Sequence, residues 1–213
     1  QTGELVWRLP IGKPFLTPVH YKDLLLINTR DGWLLEVNLK TGANTRIVEF
    51  PMELGTAATY GDEQPLLYQA GEHNNLYVVD IETMECKEVL YVGHKKGSME
   101  VPPVYAVGFL MLIENIASDR SILRVIAMNE KGQELKEIQR IALRGKVVVP
   151  PLVFERRVLV TTDLGAVHVY DVDPNIDPPV QTLADVNASA TKSFVSYPIV
   201  YRGQVWVAGK TLA

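Results

Sequence analysis

Short apolar stretches separated by turn residues recur along the whole chain. The run Leu24-Leu25-Leu26-Ile27 lacks alternation, as expected of a strand covered on both faces. After it, Asp31-Gly32 marks a tight turn, residues 33–39 a strand, Thr41-Gly42 the next turn and residues 45–50 a returning strand, so the segment reads as a hairpin. Residues 135–141 are rich in helix formers, but their place in the pattern predicts a strand.

That hairpin repeats. Val37-Asn38-Leu39-Lys40-Thr41-Gly42 aligns with Val79-Asp80-Ile81-Glu82-Thr83-Met84, with Ala127-Met128-Asn129-Glu130-Lys131-Gly132 and with Tyr170-Asp171-Val172-Asp173-Pro174. A small residue or proline opens a further strand at Pro18, Ala58, Pro103, Pro151 and Pro198, spaced 40, 45, 48 and 47 residues apart. That period is the length of a four-stranded propeller blade. The expected fold is therefore all-β, a β-propeller of four-stranded antiparallel blades. Full blades are expected at about 14–51, 54–93, 100–143 and 148–185, with partial blades at 1–10 and 194–213.

Within the partial first blade, residues 5–9 read as a returning strand without its hairpin partner. An open arc leaves an apolar blade face uncovered. Residues 5–9 adding to the sheet begun at Ser196 would close a five-blade ring. The favoured alternative is that the segment is part of a larger propeller, with further blades in the same or another chain. Residues 93–99, 116–121 and 173–179 form the longer loops, where contact surfaces are expected.

Composition narrows the partner. A net charge of −4 and a pI near 5.6 supply no broad basic field, so nucleic acid is not expected, and no apolar run of membrane-spanning length points to direct membrane insertion. His94-Lys95-Lys96 reads as a solvated loop. Cys86 is the single cysteine, which rules out an intrachain disulfide and reads as a tolerated surface residue.

Candidate chemistry is sparse. His20, on a strand expected to line the central channel, is the one possible channel-facing binding residue. His168 aligns with Leu35 and Tyr77, a packing position, while His73 and His94 fall in turns. Asp80 and Asp171 share the register of Asn38 and read as turn-stabilising residues, as do the hairpin residues Asp31 and Asp163. No catalytic residues, no metal ligands and no phosphate-binding glycine loop stand out. Asn187-Ala188-Ser189 fits a glycosylation sequon.

The pattern Gly-x-Leu-x-x-Val-Asn/Asp-Leu-x-Thr-Gly over residues 32–42, with tryptophan four residues after the turn glycine in Gly3-Glu4-Leu5-Val6-Trp7, resembles the repeat of the pyrroloquinoline-quinone-like, or quinoprotein dehydrogenase-like, β-propellers. The resemblance covers nearly the whole chain. That family contains quinone-dependent dehydrogenases and non-enzymatic BamB-like assembly lipoproteins, and its tryptophan locks adjacent blades. Here Trp7 alone keeps that position, with Arg46, Glu88 and Lys136 in the later repeats, and the Thr-Gly turn is intact only twice. One cysteine forbids the vicinal disulfide that often lies beside the family's quinone, and no set of oxygen ligands for calcium converges. The expected function is a non-enzymatic scaffold module of a larger bacterial, envelope-associated or periplasmic protein. It would present channel mouth and loops to a protein partner or small ligand, with no cofactor. The alternative that the resemblance implies is a fragment of a quinone-dependent dehydrogenase using pyrroloquinoline quinone and calcium.

Overall fold

The computed structural model describes residues 3–61, 64–187 and 193–208, and every regular element within them is a strand. The first sheet is β1 (Val19–Tyr21), β2 (Leu24–Asn28), β3 (Trp33–Asn38) and β4 (Asn44–Glu49). The second is β5 (Thr59–Tyr60), β6 (Leu66–Ala70), β7 (Asn75–Asp80) and β8 (Glu85–Tyr91). The third is β9 (Val104–Ala106), β10 (Phe109–Ala117), β11 (Arg120–Ala127) and β12 (Lys136–Arg144). The fourth is β13 (Leu152–Phe154), β14 (Arg157–Thr161), β15 (Val167–Val172) and β16 (Val180–Val186), and β17 (Tyr197–Tyr201) pairs with β18 (Gln204–Ala208) as a two-stranded fifth sheet. Each sheet is antiparallel with its strands in chain order, so the chain is a β-propeller.

Hydrophobicity explains the stacking. Second strands of the central sheets are buried on both faces, as in β6 and most of β10, while the outer strands β4, β8 and β12 keep one wet face. Alternate residues of one strand therefore serve two different seams. Leu26 and Leu34 of the first sheet meet Leu67, Tyr77 and Val79 of the second. Leu66, Tyr68 and Val78 meet Leu110, Leu112 and Ile126, and Met111, Ile113 and Val125 meet Val158, Val160 and Tyr170. No equivalent buried layer lies between the fourth and fifth sheets among the described residues.

Because strand direction alternates, the first–second and third–fourth hairpins emerge at one end of every sheet. The second–third turns and the intersheet linkers emerge at the other. The three expected contact loops are thereby split: 173–179 lies at the hairpin end, and 93–99 and 116–121 at the linker end. The stretch 116–121 is also shorter than expected, since β10 and β11 run on until only Ser118-Asp119 separates them. The sequon's Ala188 and Ser189 lie outside the described residues.

One register position joins the sheets in series. A bulge interrupts third–fourth pairing at the same place in each full sheet, after Glu36, Val78, Val125 and Val169, whose partners are Arg46, Glu88, Gln139 and Ala184. Arg46 donates to the carbonyls of Ile81 (3.1 Å) and Glu82 (2.5 Å) in the next sheet's outer hairpin. Glu88 accepts the N–H groups of Glu134 (2.7 Å) and Leu135 (2.9 Å) in the third sheet. Trp7 does the same for the first sheet: its indole N–H donates to the Leu39 carbonyl at 2.6 Å, and its ring lies 2.6 Å from where a Cβ on Gly42 would stand.

Two sequence expectations change here. Residues 5–9 form no strand, and Leu5 and Val6 are exposed; the segment is held to the first sheet by Trp7 rather than to the fifth. Gln139, not Lys136, occupies the joining position of the third sheet. Its hairpin is longer: Val125 pairs with Gln139, 14 residues on, where Glu36 pairs with Arg46 at 10.

Candidate functional site

The residues singled out in the sequence do not gather at one place. His20 is exposed on β1, with its Nε2 2.7 Å from the Lys22 carbonyl oxygen. His168 is largely buried on β15 with its Nδ1 2.9 Å from Asp185. Burial pushes the His168 imidazole below its ordinary range, and the Asp185 carboxylate offsets this only in part. His94 is 2% exposed, its Nε2 3.1 Å from the Gly71 carbonyl, and burial again lowers its pKa. Cys86 is exposed, and partial burial of its thiol raises its pKa, so it lacks the lowered pKa of a reactive thiol.

Each candidate carboxylate is committed locally. Asp31 accepts from Lys13 and Thr29, both at 2.5 Å, and Asp80 accepts the N–H groups of Glu82 (2.8 Å) and Thr83 (2.9 Å). Asp171 accepts from Arg156 Nε at 2.8 Å, and Asp163 from the Lys146 N–H at 2.7 Å. Among the described residues no three His, Cys, Asp or Glu side chains could hold a metal ion together. These carboxylates are committed to hydroxyls, backbone N–H groups and cations, and would have to give up those partners to hold a calcium ion.

A cleft of about 220 Å³ opens instead over the hairpin end of the third sheet. Its floor is Tyr68 and Tyr105, whose rings are stacked at 6.4 Å between centroids and 8° between planes. Tyr68 donates toward Met128 Sδ (3.2 Å) and the Gly132 carbonyl (3.3 Å), and burial raises its pKa. Val107, Gly108 and Phe109 form one wall, Gly61 and Gln64 another, and Pro174 reaches in from the loop between β15 and β16. Glycine is required where the rings approach. A Cβ on Gly61 would stand 3.0 Å from the Tyr105 ring, and one on Gly132 2.8 Å from the Tyr68 hydroxyl.

Val107 is the unusual member of this wall. Its φ of +48° is the left-handed conformation, which a β-branched residue resists at a cost of roughly 1–3 kcal/mol. The equivalent hairpin positions in three other sheets, Lys22, Glu155 and Arg202, also have positive φ but are polar and unbranched at Cβ. Sequence reasoning alone does not find this site. Its one available signal was an apolar β-branched residue in a turn that the other repeats fill with charge.

No family model matches the sequence, and no curated protein matches it. Among solved structures it is similar to BamB from Moraxella catarrhalis, with a TM-score of 0.64 at 16% identity over 96% of this chain and 57% of that one. The WD40 domain of Toxoplasma gondii coronin gives 0.66 at 14% identity over 86% and 48%. The computationally designed Ika4 protein gives 0.62 at 16% over 80% and 99%. The chain thus spans about half the length of the BamB and coronin chains. At such identities the likeness concerns architecture alone, and on that point sheet order and neighbours agree: this is a β-propeller.

Proposed function

We propose that the chain is a non-enzymatic propeller scaffold that binds a protein partner at its hairpin end, seating one apolar side chain of that partner in the cleft over the third sheet. The observation that carries this reading is strained Val107 forming a wall of an aromatic-floored cleft. The sibling turns hold the same conformation with unbranched polar side chains, whereas Val107 pairs it with a β-branched apolar side chain that packs against the layer between the third and fourth sheets and lines the recess. The recess is smaller than the roughly 300–1,000 Å³ of drug-sized ligand sites, which suits a single side chain. Similarity to BamB and to a coronin WD40 domain supports a scaffold role, and the bacterial BamB supports the envelope setting that the repeat resemblance implies. Exposed Tyr197, Ile199, Tyr201 and Trp206 on one face of β17 and β18 support further blades, in this protein or a second chain.

The test is selection of a random peptide library displayed on phage against the intact chain. Enriched peptides sharing one apolar residue, with binding at least ten-fold weaker to Val107→Asp, are expected. The Asp backbone tolerates the left-handed conformation, so that variant stays folded while placing a carboxylate on the wall. Absence of enrichment, or peptides indifferent to Val107→Asp, would overturn the reading.

A further inference from the structure

Two buried amide side chains lie on the facing sides of the first and second sheets. Asn28, at the end of β2, is fully buried, on the face that carries Leu26 and opposite Leu34 in the pairing with β3. Gln69 on β6 is also fully buried, on the face that carries Leu67 and opposite Tyr77. Leu26, Leu34, Leu67 and Tyr77 all belong to the apolar layer between these sheets, so both amides point into it. In the repeat register, Leu26 pairs with Glu36 and Tyr68 with Val78, the residues that precede the bulge in each sheet. Asn28 therefore stands level with Ala70, one residue beyond Gln69.

Neither amide is satisfied by the protein. Gln69 Nε2 donates to the carbonyls of Thr56 (2.9 Å) and Ala70 (2.7 Å), but no protein atom pairs with its Oε1, nor with Asn28 Oδ1 or Nδ2. Leaving such groups bare in an apolar seam is costly, which is why buried polar atoms are almost always paired. The repeats show that this polarity is local. In the same register Gln69 aligns with Ile27, Leu112 and Val160, and Asn28 with Ala70, Ile113 and Thr161. The other seams are closed by apolar or short side chains at these places.

We propose that Asn28 and Gln69 form a buried hydration site in the first seam, in which ordered water donates to the two free amide oxygens and accepts from Asn28 Nδ2. Facing sheets lie about 10 Å apart, wide enough for two short amide side chains with water between them. Water has the donors and the acceptor that this set lacks, and buried waters typically make about three such bonds. The site fixes the two sheets in one register at their linker ends, since a slide of one residue would separate the amides.

The test combines a thermodynamic cycle with a direct readout of water, using the intact chain. Asn28→Ile and Gln69→Leu, each taken from a sibling sheet, lower the urea midpoint singly, and the double variant loses less than the sum. Nuclear Overhauser contacts between a long-lived water and amide protons of residues 28 and 69 appear in the wild type and vanish in both single variants. Additive midpoints would overturn the proposal, as would coupling without the water contacts, which would mean that the amides bond directly.

Discussion

Gln139 grips Val180 with both ends of its amide: Nε2 donates to the Val180 carbonyl at 2.8 Å, and Oε1 accepts the Val180 N–H at 3.2 Å. Val180 opens β16 and is 2% exposed, so few waters can replace those bonds. Gln139→Leu should therefore cost about 2 kcal/mol, the loss of two hydrogen bonds plus two desolvated backbone groups. Gln139→Glu keeps the acceptor but sets a carboxylate oxygen against a carbonyl, and should cost at least as much despite its similar shape. Urea midpoints with an unchanged m-value would check both.

The wall of the cleft yields a stability prediction of opposite sign. Val107→Asn removes a β-branched side chain from φ +48°, and Asn tolerates that region. Relieved strain contributes about 1 kcal/mol, offset in part because Val107 packs against the apolar layer between the third and fourth sheets, so a net gain below about 1 kcal/mol is expected. The same variant should bind the selected peptides more weakly, since it puts an amide where the apolar wall was. A loss of stability in thermal unfolding would show that the packing lost with Val107 outweighs the strain relieved.

The seam between the third and fourth sheets should make stability depend on pH. His168 has a folded pKa held below the unfolded value near 6.5 by burial, so below that pH the unfolded chain binds more protons than the folded one. Its contribution is fully present above pH 6.5 and declines as pH falls toward the folded pKa. The slope is at most about 1.4 kcal/mol per pH unit. Its Nε2 is buried without a protein partner, so protonation adds a donor that nothing accepts. His168→Leu, with the residue found at the equivalent Leu35, should flatten this part of the stability–pH curve; His94, similarly lowered, leaves a remainder. An unchanged slope would exclude His168 as its source.

How much of the structure is legible in the sequence follows from the range of the interactions. Strands such as Leu66–Ala70 and Gln204–Ala208 were placed correctly because an apolar run between turn residues is a local signal. The joining position went to Lys136 because counting from Gly132 assumes equal hairpins. Here Asn129 Oδ1 accepts the N–H groups of both Lys131 (2.9 Å) and Gln133 (3.0 Å), stabilising a longer turn that shifts the register. The cleft was invisible because Tyr68 and Tyr105 come from adjacent sheets, and their encounter depends on how those sheets stack. Asp163 looked like an ordinary turn residue for the same reason, its partners lying in two different linkers.

Those partners make Asp163 the fastening of the fifth sheet. It is 6% exposed, its Oδ1 accepts the Lys146 N–H at 2.7 Å, and its Oδ2 accepts from the Ser193 hydroxyl. Its carbonyl accepts the Phe194 N–H at 2.8 Å, while Thr161 Oγ1 donates to the Ser196 carbonyl at 3.0 Å. Among the described residues no outer-strand join spans this seam: Ala184 stands at the joining position, and the fifth sheet has two strands. Asp163→Ala removes an acceptor from both linkers and should cost about 2–3 kcal/mol. Asp163→Asn retains an oxygen for Lys146, and the Ser193 hydroxyl can rotate to accept from its amide, so a cost below about 1 kcal/mol is expected. Hydrogen exchange separates a local from a global effect. In Asp163→Ala, amides of β17 and β18 should lose protection well before those of β6 or β10. Uniform loss across all five sheets would mean that the fifth is not held separately.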